Sequence, residues 1–211
     1  FCPKGQTLTD IEIDSNGTLV AGYGDWDVNL DSFVAANSPS RVGVVPFDIA
    51  TKTWGSMFYA GSEGLDVVRK FDDRFYIPTT DPSDKAPTGQ PGSRSGYVTN
   101  EGGTWHFVAN GNDIHTFDVA KQQNGTLWTV ESNAQPAPAS SIAWKSTDNG
   151  ATWELGRDGN AGDFSRHYWV ATLGDTVYMR DEADTRVKTF NGASWVATSN
   201  SDCQYYGSNV V

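Results

Sequence analysis

The chain has 211 residues and a formal net charge of −11 with a pI of about 4.5, so its field repels phosphate backbones and anionic lipid surfaces. Aromatic residues make up 12% of it, while 22 Gly and 9 Pro stand against only two Met, a balance that favours strands and turns over helices. No apolar run approaches the roughly 20 residues that a membrane-spanning helix needs. We therefore expect neither nucleic acid as a partner nor insertion into a membrane.

Two sequence markers recur four times along the chain, always in the same order. The first is a polar turn followed by β-branched and aromatic residues, which predicts the turn and second strand of a hairpin. It occupies residues 16–22, 72–78, 124–130 and 174–180. The second marker is a tryptophan after a short polar turn, at Trp54, Trp105, Trp153 and Trp195, with spacings of 51, 48 and 42 residues.

Further strand-like segments flank the first marker in every unit. The preceding strands are predicted at 11–13, 65–71, 115–120 and 167–173, and the following strands at 41–47, 95–99, 141–146 and 185–190. Four strands per unit with a period of about 40 to 50 residues is typical of a β-propeller blade. We therefore predict an all-β protein, a four-bladed β-propeller with four-stranded antiparallel blades. One domain spans residues 1–211, with blades at approximately 6–58, 59–109, 110–156 and 157–203.

The two cysteines lie near opposite ends of the chain. Cys2 precedes the first predicted strand and Cys203 follows the last, so the two become neighbours if the ring closes near the termini. A disulfide between them would indicate an oxidising setting, extracellular or on a virion. Two buried free thiols are the alternative. The layout resembles four-bladed propellers of the hemopexin type, in which a disulfide ties the first and last blades.

The third unit contains a turn that resembles a known family. Residues 146–153 read S-x-D-x-G-x-T-W, with Ser146, Asp148, Gly150, Thr152 and Trp153 at the specified positions. This resembles the Asp-box, or BNR, hairpin of sialidase-like propellers, and the other units match it only in part. The resemblance implies a structural turn away from any active face. In it the Asp accepts backbone N–H bonds, the Gly takes a positive φ and the Trp packs between blades.

The candidate ligand-binding residues lie in or beside the long loops, at 25–40, 79–94 and 131–140, with a shorter one at 181–184. Connections of these kinds emerge on one face of a propeller. A tryptophan among short polar side chains suits a sugar, because its ring stacks on C–H groups while carboxylates bond the hydroxyls. The candidates are Tyr23, Asp25, Trp26, Asp27, Asn29 and Asp31, with Asp81, Glu131 and Asp181 following the second strands of the other units.

Two other interpretations of the 22–31 segment remain open. A solvated acidic loop with one packed tryptophan needs no ligand at all. The spacing of its Asp residues also resembles an oxygen-rich calcium loop, although the Gly and terminal Glu of an EF-hand are absent. We expect no required cofactor, with a structural cation such as calcium as an option.

The GYGDW-x-x-N segment, followed by V-x-x-F-D and T-W, resembles propeller modules of bacteriophage tail and fibre proteins. The resemblance covers about the first third of the chain. It implies a role in virion structure or host recognition, with carbohydrate, a protein or other virion proteins as partners.

Catalytic motifs are lacking in the sequence, which has no nucleophile elbow, P-loop or dinucleotide-binding glycine pattern. Sialidases have six blades and an opening Arg-Ile-Pro segment. This sequence predicts four blades and lacks that segment, so a sialidase is disfavoured. We expect a non-enzymatic binding module whose preferred ligand is carbohydrate. The alternatives are a secreted polysaccharide-active enzyme, a glycoside hydrolase or lyase that uses loop carboxylates, and a purely architectural virion protein.

Overall fold

The structure of the protein is a computed structural model. It describes residues 7–24, 42–56, 58–61, 67–79, 96–110, 115–132, 141–157, 169–180, 187–190, 192 and 194–197. Over these ranges the chain forms strands in four antiparallel sheets, with one 3-10 turn at Glu101–Gly103 and no α-helix. The all-β prediction is therefore confirmed for the described part of the chain.

Each sheet is built from consecutive strands. Sheet 1 contains β1 (Thr7–Ile13), β2 (Thr18–Gly24), β3 (Val42–Asp48), β4 (Thr53–Trp54) and β5 (Phe58–Gly61). Sheet 2 contains β6 (Arg69–Phe71), β7 (Arg74–Thr79), β8 (Gly96–Thr99) and β9 (His106–Ala109). Sheet 3 contains β10 (His115–Lys121), β11 (Leu127–Ser132), β12 (Ser141–Ser146) and β13 (Glu154–Arg157). Sheet 4 contains β14 (Trp169–Leu173), β15 (Thr176–Arg180), β16 (Val187–Phe190) and β17 (Trp195–Ala197).

Within every sheet the first four strands pair in chain order, as an up-and-down meander. The sequence pattern missed β5, which extends sheet 1 by pairing with β3 beside β4. It also placed the tryptophan of every unit in the fourth strand. Trp54 and Trp195 do lie in β4 and β17, whereas Trp105 and Trp153 lie immediately before β9 and β13. These two indole rings contact neighbouring aromatic rings instead, Trp105 stacking on Phe75 and Trp153 meeting Tyr97 edge-on.

The sheets pack face to face in the order of the chain, through three clusters of buried side chains. The cluster between sheets 1 and 2 contains Val20, Val44, Val68, Phe75, Ile77 and Val98. The cluster between sheets 2 and 3 contains Tyr76, Tyr97, Val119 and Leu127. The cluster between sheets 3 and 4 contains Ala120, Trp128, Val130, Ala143, Val170, Val177 and Met179. This succession of four antiparallel sheets is consistent with a propeller-like arrangement.

The hairpin turns between the first and second strands lie together on one face of the molecule, which we call the turn face. The backbone N–H of Ser15 donates to the Asp73 carboxylate at 2.8 Å. The ammonium of Lys121 lies 3.2 Å from Asp72, and the N–H of Asn124 donates to Asp175 at 2.9 Å. Because each second strand runs away from its turn, the four second strands end at the opposite face, which we call the loop face. Their last residues are Gly24, Thr79, Ser132 and Arg180.

Candidate functional site

The structure places two of the nine candidate ligand-binding residues, both next to the loop face. Tyr23 lies in β2 opposite Leu8, and Glu131 lies in β11 opposite Thr116, each one residue before its strand ends. Glu131 was expected after the second strand, but the pairing of β10 with β11 continues through Ser132 and keeps it inside. The other seven lie outside the described residues, namely Asp25, Trp26, Asp27, Asn29, Asp31, Asp81 and Asp181.

A fully buried carboxylate, Asp118, lies in the first strand of sheet 3. It accepts two hydrogen bonds from the guanidinium of Arg69 in sheet 2, at 2.8 and 2.9 Å. It also accepts the backbone N–H of its neighbour Val119 at 2.9 Å and that of Val170 in sheet 4 at 3.1 Å. Every contact is of the charge-assisted kind that can compensate a carboxylate for loss of water. Asp118 therefore connects three consecutive sheets beneath the loop face.

Burial and ion pairing act in opposite directions on this pair. Complete burial raises the pKa of Asp118 above its ordinary value, although the Arg69 hydrogen bonds and charge and the two amides favour its ionised form. For Arg69, burial alone would lower the pKa, but the hydrogen bonds and charge of Asp118, helped by the charge of Asp10, raise it overall. The Arg69 guanidinium therefore keeps its proton, and the ion pair joins sheets 2 and 3.

Asp10 in sheet 1 occupies the place that Asp118 has in sheet 3. Its carboxylate accepts the backbone N–H of Ile11 at 2.8 Å and that of Val68, the residue before β6 of sheet 2, at 2.9 Å. Both aspartates directly follow a break in the strand register, and each side chain accepts a backbone N–H from the neighbouring unit. At two of the three described interfaces, a carboxylate in the first strand of one sheet therefore bonds a backbone amide in, or immediately before, the first strand of the next sheet.

A second buried polar network lies where the chain passes from sheet 2 to sheet 3. The amide of Asn110 donates to the Thr129 hydroxyl at 2.7 Å and accepts from the Thr116 hydroxyl at 3.2 Å. All three side chains are buried. Buried hydroxyl and amide groups are favourable only when they are paired, so this network fixes the Asn110 side chain against sheet 3. The network lies near the loop-face end of sheet 3, where Thr116 pairs with Glu131.

The 146–153 turn has a dense set of internal hydrogen bonds. Asp148 accepts the N–H of Thr152 at 2.8 Å, the hydroxyl of Thr152 at 2.5 Å and the hydroxyl of Ser146 at 2.8 Å. The Ser146 hydroxyl accepts the N–H of Gly150 at 2.8 Å, and the Trp153 indole donates to the Gly150 carbonyl at 3.1 Å. Gly150 has φ +85°. The turn lies on the turn face, because β12 runs from the loop face and ends at Ser146.

These bonds also explain the acidity of Asp148. The bonds from the Thr152 hydroxyl and N–H, followed by the Ser146 hydroxyl, lower its pKa to about 2. The carboxylate accepts three hydrogen bonds within its own turn, on the face opposite the loop face. Its chemistry is therefore that of a turn-stabilising acceptor.

A crevice of about 430 Å³ lies between sheets 3 and 4 on the turn face. Its floor is the buried Trp128, whose indole donates to Gln122 at 2.8 Å. One wall carries Lys145, which pairs with Glu154 at 2.9 Å and lies 6.0 Å from the Phe190 ring centroid. The remaining lining comes from Thr126, Thr147, Asp175 and Gly192. No sequence signal marks this crevice, because its residues come from separate strands and turns of two sheets.

Neither Arg69 nor Asp118 stands out in the sequence either, since they are 49 residues apart and belong to different repeat units. Within the described ranges, no group of three or more His, Cys, Asp or Glu residues is placed to hold a metal ion. The same part of the chain contains no helix that is long and apolar enough to span a bilayer. Cys2 and Cys203 lie outside the described residues.

No protein-family model matches this chain, and a search of curated proteins finds no significant match.

Proposed function

We propose that the chain is a closed four-bladed β-propeller that acts as a non-enzymatic binding module and takes carbohydrate on its loop face. The observation that carries the proposal is the common orientation of the sheets. The hairpin turns contact each other on the turn face, so all four second strands end at the opposite face, where the loops that follow them would begin. Three of these four loops are long, and a rigid scaffold that presents several loops together is a usual basis for ligand binding.

The segment from Tyr23 to Asp31 supplies the chemistry in this proposal. The Trp26 indole would stack on the C–H face of a sugar ring, and Asp25, Asp27 and Asn29 would bond its hydroxyls. Asp31, Asp81, Glu131 and Asp181 would extend the polar rim. With a net charge of −11, the chain favours a neutral, hydroxyl-rich glycan over a polyanionic one.

The biological setting is a further part of the proposal. The resemblance of the first third to phage tail and fibre modules supports a virion component, and a Cys2–Cys203 bridge would suit either a virion or a secreted protein. The resemblance of residues 146–153 to an Asp-box supports the propeller fold and implies no activity. Protein partners, including other virion proteins, are compatible with the same loop face.

A glycan array probed with the wild-type chain and three variants tests the function. We expect Trp26→Ala to abolish binding to the recognised glycan and Trp26→Phe to retain part of it, because an aromatic face remains. Lys145→Ala alters the crevice on the opposite face and should bind like wild type. Binding that survives Trp26→Ala but is lost in Lys145→Ala would move the site to the crevice and refute the loop-face proposal. Turnover of a labelled polysaccharide by the wild-type chain would refute the proposal that the module is non-enzymatic.

A further inference from the structure

The interface between sheets 3 and 4 repeats the interface between sheets 1 and 2. In their first two strands, sheet 3 follows the register of sheet 1 at a constant separation of 108 positions, and sheet 4 follows that of sheet 2 at 102. The carboxylate of Asp10 accepts the N–H of Val68, and at the equivalent positions Asp118 accepts that of Val170. The two interfaces can therefore be compared residue by residue.

On the turn face, the first interface uses both oxygens of a carboxylate of which the second interface uses only one. Asp73 accepts the N–H of Ser15 at 2.8 Å with one oxygen and the Ser15 hydroxyl with the other. Asp175 stands at the place of Asp73 and accepts the N–H of Asn124 at 2.9 Å with one oxygen. Gln123 takes the place of Ser15, and no described residue donates to the second oxygen of Asp175. That oxygen is available to a ligand.

A second difference places a cation and an indole at the crevice. Lys145 pairs with Trp128 across sheet 3, and Pro46 pairs with Val20 at the equivalent place in sheet 1. Both Lys145 and Trp128 line the crevice of about 430 Å³ between sheets 3 and 4. The first interface has neither a charge nor an aromatic ring at these two positions.

A third difference gives the crevice an apolar wall. Phe190 lies opposite Val177 in sheet 4, and the equivalent place in sheet 2 is that of Asn100, whose side chain accepts the N–H of Phe75 at 2.9 Å. The Phe190 ring instead contacts the ring of Trp128, with the centroids 5.3 Å apart. An aromatic surface thus replaces a polar group that bonds within its own sheet.

Lys145 and Asp175 give the crevice a cation and an anion from opposite sheets. Lys145 lies in β12 of sheet 3, and Asp175 lies in the turn between β14 and β15 of sheet 4. An ammonium has three N–H donors, and Lys145 uses one on Glu154 at 2.9 Å. The other two have no acceptor among the described residues. Both charged groups therefore keep hydrogen-bonding capacity for a ligand.

The charges of the crevice discriminate between classes of ligand. An anion would meet Asp175 and the field of a chain with a net charge of −11, and a cation would meet Lys145. A zwitterion pairs with both groups and carries no net charge. Phe190 offers an apolar surface for its side chain, and a volume of about 430 Å³ lies in the usual range of small-molecule sites.

We propose that this crevice binds a small zwitterion, an α-amino acid with an aromatic side chain. Its carboxylate accepts from Lys145, its ammonium donates to Asp175, and its ring packs on Phe190. The site lies on the turn face and takes a different class of ligand from the glycan of the loop face. Either proposal can therefore fail alone.

Calorimetric titration of the full wild-type chain with three related compounds is the first test. L-Phenylalanine has both charges, 2-phenylethylamine lacks the carboxylate and 3-phenylpropionate lacks the ammonium. We expect L-phenylalanine to bind about tenfold more tightly than either of the others, because each of these loses one hydrogen-bonded contact with a charged group. These titrations need no variant, so a variant that fails to fold does not prevent the test.

Two variants then assign the contacts. Lys145→Met should weaken the binding of L-phenylalanine about tenfold and leave that of 2-phenylethylamine unchanged, since this compound has no carboxylate. Asp175→Asn should weaken the binding of L-phenylalanine by a similar factor and leave that of 3-phenylpropionate unchanged.

Matched controls remove the same charges outside the crevice. Asp73→Asn changes the equivalent position of sheet 2, and Lys52→Met changes an exposed residue in the turn after β3. Neither should change the affinity for L-phenylalanine by more than about twofold, because exposed charges at a distance are screened by salt.

Three results would overturn the proposal. The first is an absence of L-phenylalanine binding to the wild-type chain at millimolar concentrations. The second is binding of 2-phenylethylamine or 3-phenylpropionate as tight as that of L-phenylalanine, which would show that one of the two charges is not recognised. The third is an equal loss of affinity in the controls and in the crevice variants, which would place the ligand elsewhere.

Discussion

Arg69 of sheet 2 holds Asp118 of sheet 3 through both carboxylate oxygens, at 2.8 and 2.9 Å. The same carboxylate accepts the N–H of Val170 in sheet 4. Since a propeller-like array has few covalent ties between its sheets, a single buried group that contacts three of them has a large effect on how they are spaced. The pair therefore stabilises the packing of three sheets whose second strands end at the loop face.

Breaking this pair should destabilise the protein strongly. Arg69→Met leaves a buried carboxylate without its cation, and we expect a loss of about 3 kcal/mol, the lower end for buried pairs because Arg69 is 32% exposed. Asp10→Asn is the comparison, since Asp10 accepts hydrogen bonds only from backbone amides and acts on Arg69 through its charge without a hydrogen bond, and it should cost about 1 kcal/mol. Chemical denaturation measures both, and equal losses would contradict the special role of the ion pair.

The turn at 146–153 gives a prediction about steric fit. A Cβ at Gly150 would lie 2.6 Å from the Tyr97 hydroxyl and 2.8 Å from Val108, and φ there is +85°. Gly125 has a similar φ of +91° but open space around it. Gly125→Ala should cost about 1–2 kcal/mol from backbone strain, and Gly150→Ala about 1–3 kcal/mol more from overpacking.

Denaturant midpoints of the two variants separate these effects, because the backbone strain is common to both. Equal losses would show that sheets 2 and 3 can move apart at Tyr97 without cost. Gly150 would then be required only because its backbone adopts a positive φ.

Much of the fold could be predicted from the sequence because its signals are local. The turn at 72–73 needs positive φ at two adjacent residues, and the aspartates there adopt 49° and 61°. Such turns, followed by β-branched and aromatic residues, located the second strand of every sheet. Strand β5 escaped prediction because Phe58–Gly61 has no turn signal of its own and is defined only by pairing with β3.

The parts of the candidate site that involve contacts between units could not be predicted in this way. The Arg69–Asp118 pair depends on how two sheets lie against each other, and neither residue has a local pattern that specifies it. The crevice between sheets 3 and 4 arises for the same reason. Trp26 and its neighbours were chosen for residue chemistry alone, so their role is decided by the glycan experiment.

Acid should weaken the 146–153 turn through Asp148. Its pKa is about 2 in the folded chain and near 3.8 in the unfolded chain, so the folded state holds the proton less tightly. The stabilisation from the ionised carboxylate is therefore fully present above pH 3.8 and is lost as the pH falls through about 2. Asp148→Asn removes this pH-dependent part, although its amide oxygen can still accept one bond from Thr152.

Thermal unfolding of wild type and Asp148→Asn between about pH 2 and 6 measures the effect. The wild type should unfold at the higher temperature near neutrality, and the two curves should converge toward pH 2, because the protonated aspartic acid then resembles the asparagine in charge. A difference in unfolding temperature that stays constant over the whole range would show that the charge of Asp148 contributes nothing. The hydrogen bonds from Thr152 and Ser146 would then stabilise the turn through their geometry alone.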